Sequence, residues 1–166
     1  MPQAEADPNA PLSQWNSRNE SSGFARRTLK NLEYIEEARR AGQDVHVVTQ
    51  RVLSLLGLIV FPWEQGFGAS IKSLNLNRLV EEGWPRWDIL AGRATTLGDL
   101  VRHLRNAVAH RRLWFSSEDR DPQGVTIEFA DAKTQNGPCN WRAKISADHL
   151  QTFCIRFIKR VNDVVD

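Results

Sequence analysis

The stretch LRNAVAHRRLW, residues 104–114, places Arg105, Asn106 and His110 in an otherwise Leu-, Val- and Ala-rich run and follows them at once with Arg111 and Arg112. These side-chain types suit the cleavage of a phosphodiester. An imidazole titrates near neutral pH and can take or give a proton. A guanidinium carries a permanent planar charge that matches two phosphate oxygens. An asparagine amide offers both a donor and an acceptor. RNA brings its own nucleophile, the ribose 2′-OH, so a base beside that hydroxyl and a cation beside the phosphate would suffice without a metal. Such acid–base help is worth roughly 10²- to 10⁴-fold, and stabilising the charge that builds around phosphorus adds to it. The spacing by itself carries little. Seventeen arginines and four histidines give a coincidental Arg–His pair at any fixed spacing about 0.4 times in a chain of this length. Arg and His also favour a helix C-terminus through its dipole, with no chemistry attached.

The segment that must carry these groups is a helix over about 96–110. Thr95 or Thr96 supplies its cap, and Asp99 suits its first turn. At about 100° per residue, Leu97, Val101, Leu104 and Val108 fall within about 40° of one line and form the core face. Asn106 then lies near 180°, His110 near 220°, His103 near 240° and Arg102 near 140°, with Arg105 at about 80° on the border. The projection predicts an exposed face shared by Asn106, His103 and His110. Arg102 and Arg105 flank that face, and Arg111 and Arg112 continue beyond it.

The surrounding chain predicts a mainly α fold. Residues 1–21, with three prolines and many small polar residues, are expected to form a disordered or loosely docked tail. A first helix is expected from about Ser22 to Ala41, stopped by Gly42. A second, capped by Asp44, should run over about 45–61 and end at Pro62; it is apolar enough to be central or to bury a face on a partner. Residues 62–75 suggest an ordered loop, LNRLVEEG a short helix and WPRWDILAG a tryptophan-rich loop. The period then changes to that of strands in RLWFSS, GVTIEFADA and NWRAKIS. Ser146 caps a last helix over about 147–164. The sum is one domain over 22–166: an antiparallel bundle of four to five helices, with a small antiparallel hairpin or sheet inserted at about 112–145, before the last helix.

Composition narrows the partners. A net charge of +2 gives no bulk electrostatic grip on nucleic acid, so any basic site must come from local clustering. Cys139 and Cys154 lack metal-ligand spacing and suggest free thiols in a reducing compartment, with a single bridge as the alternative. The N-terminus has no apolar signal segment, and LLGLIVF is too short to span a bilayer. A soluble cytoplasmic protein without a membrane partner is expected.

The hexapeptide RNAVAH, with Asn directly after Arg and at the end of a long apolar helix in a small bundle, resembles the RxxxxH motif of the HEPN superfamily (higher eukaryotes and prokaryotes nucleotide-binding). FARRTLKNLEYIEEA and LLGLIVFPWE are in addition similar to a plasmid- and defence-associated branch of HEPN nucleases. The resemblance implies a metal-independent endoribonuclease that leaves a 2′,3′-cyclic phosphate and needs no cofactor. It implies a homodimer whose two RxxxxH helices face each other across one composite cleft, in a toxin or antiviral-defence setting with an antitoxin or other regulatory partner. Carried onto this chain, His110 is the general base or acid, Arg105 holds the scissile phosphate, and Asn106 orients these groups or contacts RNA. Arg102, His103, Arg111 and Arg112 match no family consensus and are RNA-contact candidates from the projection alone. Toxin members paired with a small nucleotidyltransferase often carry Tyr two residues after the His, where this chain has Arg112; its one tyrosine is Tyr34. The alternative is a catalytically inactive HEPN-like module that binds RNA or a protein.

Other candidates have plainer explanations. Glu64 is better explained as a cap or surface charge than as a partner of His110. Trp84 and Trp87, around Arg86, suit the core or an interface better than base stacking. His46 and His149 fall near helix starts, and Lys133, Arg142 and Lys144 suit a solvated strand face.

Overall fold

Five helices and a four-stranded antiparallel sheet form among the residues that the computed structural model describes, which are 18–64, 71–119, 121–134 and 136–163. Helix α1 (Arg18–Arg40) and helix α2 (Val47–Glu64) pack on each other and on the last helix, α5 (Ala147–Asp163). The apolar residues recur at helical spacing, so each helix buries one stripe. Ala25, Leu32 and Ala38 come from α1; Val48, Val52, Leu55 and Ile59 from α2; Leu150, Phe153, Phe157 and Val161 from α5. The short α3 (Leu76–Glu81) is capped by the Asn75 side chain, and α4 (Leu97–Ala109) is the helix that carries RNAVAH.

The strands are β1 (Asp88–Ala91), β2 (Leu113–Phe115), β3 (Thr126–Ala132) and β4 (Cys139–Ser146), in the sheet order β1-β4-β3-β2. Alternate residues of β3 and β4 face the helices. Ile127, Phe129, Trp141, Ala143 and Ile145 are buried there, and α4 packs on β3. β4 passes into α5 without a loop, and the Ser146 hydroxyl accepts the His149 N–H at 3.2 Å as the cap. Trp84 and Trp87 close this layer edge-on against Phe153, with centroids 5.5 and 5.4 Å away.

Three expectations change. First, the sheet is not confined to an insertion before the last helix. The tryptophan-rich segment supplies β1, which pairs with β4 through Asp88 opposite Lys144. Only a partner more than 50 residues ahead makes those four residues a strand. Gly92 follows at φ 73°, and a Cβ there would strike the Asn140 carbonyl. Second, α2 runs through Pro62 to Glu64. Proline removes one ladder donor and crowds the carbonyl four residues back. Here that loss falls in the final turn, and the helix persists for two residues more. Third, α1 starts at Arg18, so residues 18–21, expected in the tail, are helical, while 1–17 lie outside the described residues.

A charge cluster centred on the buried Arg51 joins the three packed helices. Arg51 of α2, 2% exposed, donates to Glu36 of α1 at 3.3 Å and to Asp148 of α5 at 2.8 Å. Arg39 and Arg40 also reach Glu36, at 2.7 and 3.2 Å. Beside Arg51 lies Cys154, whose thiol is pushed up to about 12 by burial. Both cysteines are free. Among the described residues no helix is long and apolar enough to cross a membrane.

The Arg39 hydrogen bond, opposed by burial and aided by the charges of Arg39, Arg51 and Arg40, holds the Glu36 carboxyl below its ordinary 4.5. A lowered carboxylate pKa stabilises the fold fully above the ordinary value, and the stabilisation is lost as pH falls through the lowered one. The thermal unfolding midpoint should therefore fall on acidification below about pH 4.5. Glu36→Gln should cost about 2 kcal/mol at neutral pH and flatten that acid limb; an unchanged limb would show that this cluster does not set it.

Candidate functional site on the fourth helix

Helix α4 is fixed at its start by local chemistry. Thr96 is the N-cap: its side chain accepts the Asp99 N–H at 3.1 Å, and Asp99 accepts the Thr96 N–H at 3.2 Å. Thr95 adds its N–H and hydroxyl to Asp99, at 3.1 and 3.2 Å. Burial opposes the Asp99 charge, yet these donors hold its carboxyl below the ordinary value. The cap is also tied sideways, because Leu97 N–H reaches the Leu74 carbonyl at 2.8 Å. At Gly98 a Cβ would come within 2.8 Å of the Lys72 carbonyl, so only glycine lets the helix approach so closely.

The far end stops by a Schellman closure. Arg112 N–H reaches the Ala107 carbonyl at 2.7 Å and Arg111 N–H the Val108 carbonyl at 3.0 Å. The residue directly after the cap takes a left-handed conformation, usually glycine's, yet here it is Arg111 at φ 57°. His110 is the C-cap and is exposed. Arg112 turns back to the Thr134 carbonyl at 3.1 Å.

Along its length α4 buries two flanks. Leu97, Val101 and Leu104 of the expected core stripe are buried, joined by Leu100 and Ala107, whereas Val108 is half-buried and lines a groove. The other flank lies on the sheet, and it corrects the projection. His103, expected on the exposed face, is 6% exposed. Its ring stacks on Trp141 of β4 at 4.7 Å and 6° between planes. Its Nδ1 lies 2.7 Å from Asp131 Oδ2 of β3. Asp131 and Trp141 are cross-strand partners and so face the same way. A wheel drawn from one helix cannot show that a sheet will cover its second flank.

Asp131 is the site residue that sequence reasoning missed. It is 3% exposed. Its Oδ2 also accepts from Asn106 Nδ2 at 3.1 Å, and its Oδ1 accepts the Ala132 N–H at 2.8 Å, where the register with β4 slips. Burial would raise its pKa, but the donors His103, Asn106 and Ala132 hold the carboxyl below the ordinary value. The signal was in the sequence. Val125, Ile127 and Phe129 alternate on the buried face of the strand, and Asp131 follows at the same parity.

The accessible side of α4 forms one wall of a groove of about 830 Å³ against α2. Arg102, Arg105 and Asn106 line it with Lys72, over an apolar floor that includes Leu56, Ile59 and Val108. The structure thus brings Arg102, Arg105 and Asn106 to one groove and leaves His110 exposed at its helix end, one residue past the lining Ala109. Arg111 is exposed beyond, and the Glu64 side chain lies outside the described residues. Chemically, the groove offers the charges of Lys72, Arg102 and Arg105 beside a neutral amide and the Asp99 carboxylate, which lies 3.9 Å from Arg102. No group of three or more His, Cys, Asp or Glu side chains among the described residues is placed to hold a metal ion.

The family model of HEPN pEK499 p136 matches residues 6–165. No curated protein and no solved structure matches the chain.

The left-handed Arg111 is strained, since its Cβ crowds the following carbonyl. Arg111→Gly should relieve this and raise stability by about 0.5–1 kcal/mol, net of the extra freedom of glycine in the unfolded chain. Chemical denaturation measures it, and a loss of stability would mean that the Arg111 side chain contributes more than its backbone strain costs.

Proposed function

The chain belongs to the HEPN pEK499 p136 family, and from that premise we propose that it is a metal-independent endoribonuclease whose active site is completed by a second copy of itself. The observation that carries this reading is the accessible side of α4, where Arg105 and Asn106 line one groove and His110 is exposed at the C-cap of the same helix. HEPN membership suggests a nuclease or a related module, with RNA as its substrate class.

In the proposed reaction the ribose 2′-oxygen attacks the adjacent phosphorus, the bond to the 5′-oxygen breaks, and a 2′,3′-cyclic phosphate remains. His110 takes the 2′-OH proton or supplies the one that the leaving oxygen needs. Arg105 holds the phosphate and offsets the charge that grows on its oxygens. Arg102, Arg111 and Arg112 extend the positive surface along the strand. His103, being buried, does not contact RNA and acts on the site from beneath. The apolar floor and the exposed Leu53 and Val60 of α2 suit the second copy. A toxin or antiviral role, held in check by an antitoxin or other regulator, fits such an activity.

Purified protein should cut RNA in EDTA and leave 2′,3′-cyclic ends. His110→Ala should slow cutting by roughly 10²- to 10⁴-fold while its oligomeric state is unchanged. Full activity in that variant would overturn the assignment. Salt-sensitive RNA binding with no cleavage would instead identify a catalytically inactive RNA-binding module.

A further inference from the structure

Asn106 lies at the rim of the groove, but its amide is not at liberty to turn. A carboxylate only accepts hydrogen bonds. Asp131 Oδ2, 3.1 Å away, therefore takes the Nδ2 end of the amide, and the Oδ1 end is turned away from Asp131. Asp131 is itself held. His103 reaches the same oxygen at 2.7 Å, Ala132 N–H reaches the other at 2.8 Å, and the His103 ring is locked by its stack on Trp141. With Nδ1 donating to Asp131, His103 keeps Nε2 as an acceptor, and Arg102 stands on that side at 3.4 Å. The chain of contacts leaves the groove at Arg102, passes beneath α4 through His103 and Asp131, and returns to the groove at Asn106.

We propose that Asp131 is a positioning residue of this site, which holds one N–H of the Asn106 amide and so fixes the orientation in which its carbonyl oxygen is presented to substrate. This rests on the nuclease reading above. The carbonyl oxygen so fixed suits a hydrogen-bond donor of the RNA, such as a ribose hydroxyl or a base amine. The anchoring carboxylate comes from β3, so the sheet is part of the site.

The test compares kcat, KM and unfolding midpoints of Asn106→Ala, Asp131→Asn and the double variant on an RNA that the wild type cuts. Asp131→Asn should lower kcat on the order of 10- to 100-fold, with KM within about twofold. In the Asn106→Ala background it should lower kcat no further, because Asp131 acts through Asn106. A full additional loss there, or wild-type kcat in Asp131→Asn, overturns the proposal. Asn106→Asp gives a second arm at an exposed position, should Asp131→Asn fail to fold. It keeps an acceptor oxygen but offers Asp131 no donor, and it should lose as much kcat as Asn106→Ala; retained activity overturns the proposal. Wild-type protein that cuts no RNA overturns the nuclease reading and this one together, whereas an active wild type with an indifferent Asp131 overturns this one alone.

Discussion

A carboxylate can stay charged inside a protein only where donors replace the water it has lost. Asp131 meets that requirement with three donors from two elements that are far apart in sequence: His103 and Asn106 on α4, and its own strand's Ala132 N–H. Each donor has a direction, so satisfying all three fixes more than contact between helix and sheet. It fixes where the His103 ring and the Asn106 amide sit over β3, and so how Asn106 meets the groove that Arg102 and Arg105 also line. The Leu and Val stripe gives α4 its attachment, but apolar packing is non-directional and orients no amide.

A second directional cluster does the same for the bundle. Arg51 joins α1, α2 and α5 through Glu36 and Asp148. α5 grows straight out of β4, and Ala147 N–H is tied to the Val125 carbonyl at 2.9 Å, so the sheet and the bundle share one backbone junction. The groove between α2 and α4 is therefore bounded by two elements that are each referred to a different buried charge.

What could be read from the sequence follows the range of the forces involved. α4 and its Thr96 cap, the strands β2 to β4 and α5 with its Ser146 cap are written in local spacing and capping, and they form near where that spacing puts them. RNAVAH pointed to the HEPN superfamily, to which the chain belongs. The features that escaped depend on residues distant in sequence. β1 exists because β4 pairs with it, His103 is buried because Trp141 and Asp131 cover it, and Arg51 can be buried because two other helices bring carboxylates. Asp131 is the instructive intermediate: its place on the apolar parity of a strand was visible, but its partners were not.

The turn after His110 has a consequence for how this protein can vary. Only Arg111 and Arg112 separate the helix cap from β2, and a single left-handed residue makes the whole reversal. Strand faces alternate, so one residue added or removed here would exchange the inward and outward sides of β2 or slide it along β3, where Leu113 now faces Phe129. Length change is far cheaper in the connection from Ser116 to Gly124, whose described side chains other than Pro122 are exposed. The distance along the chain from His110 to the sheet is thus a fixed dimension of the fold, and insertions that diversify the sheet must enter elsewhere.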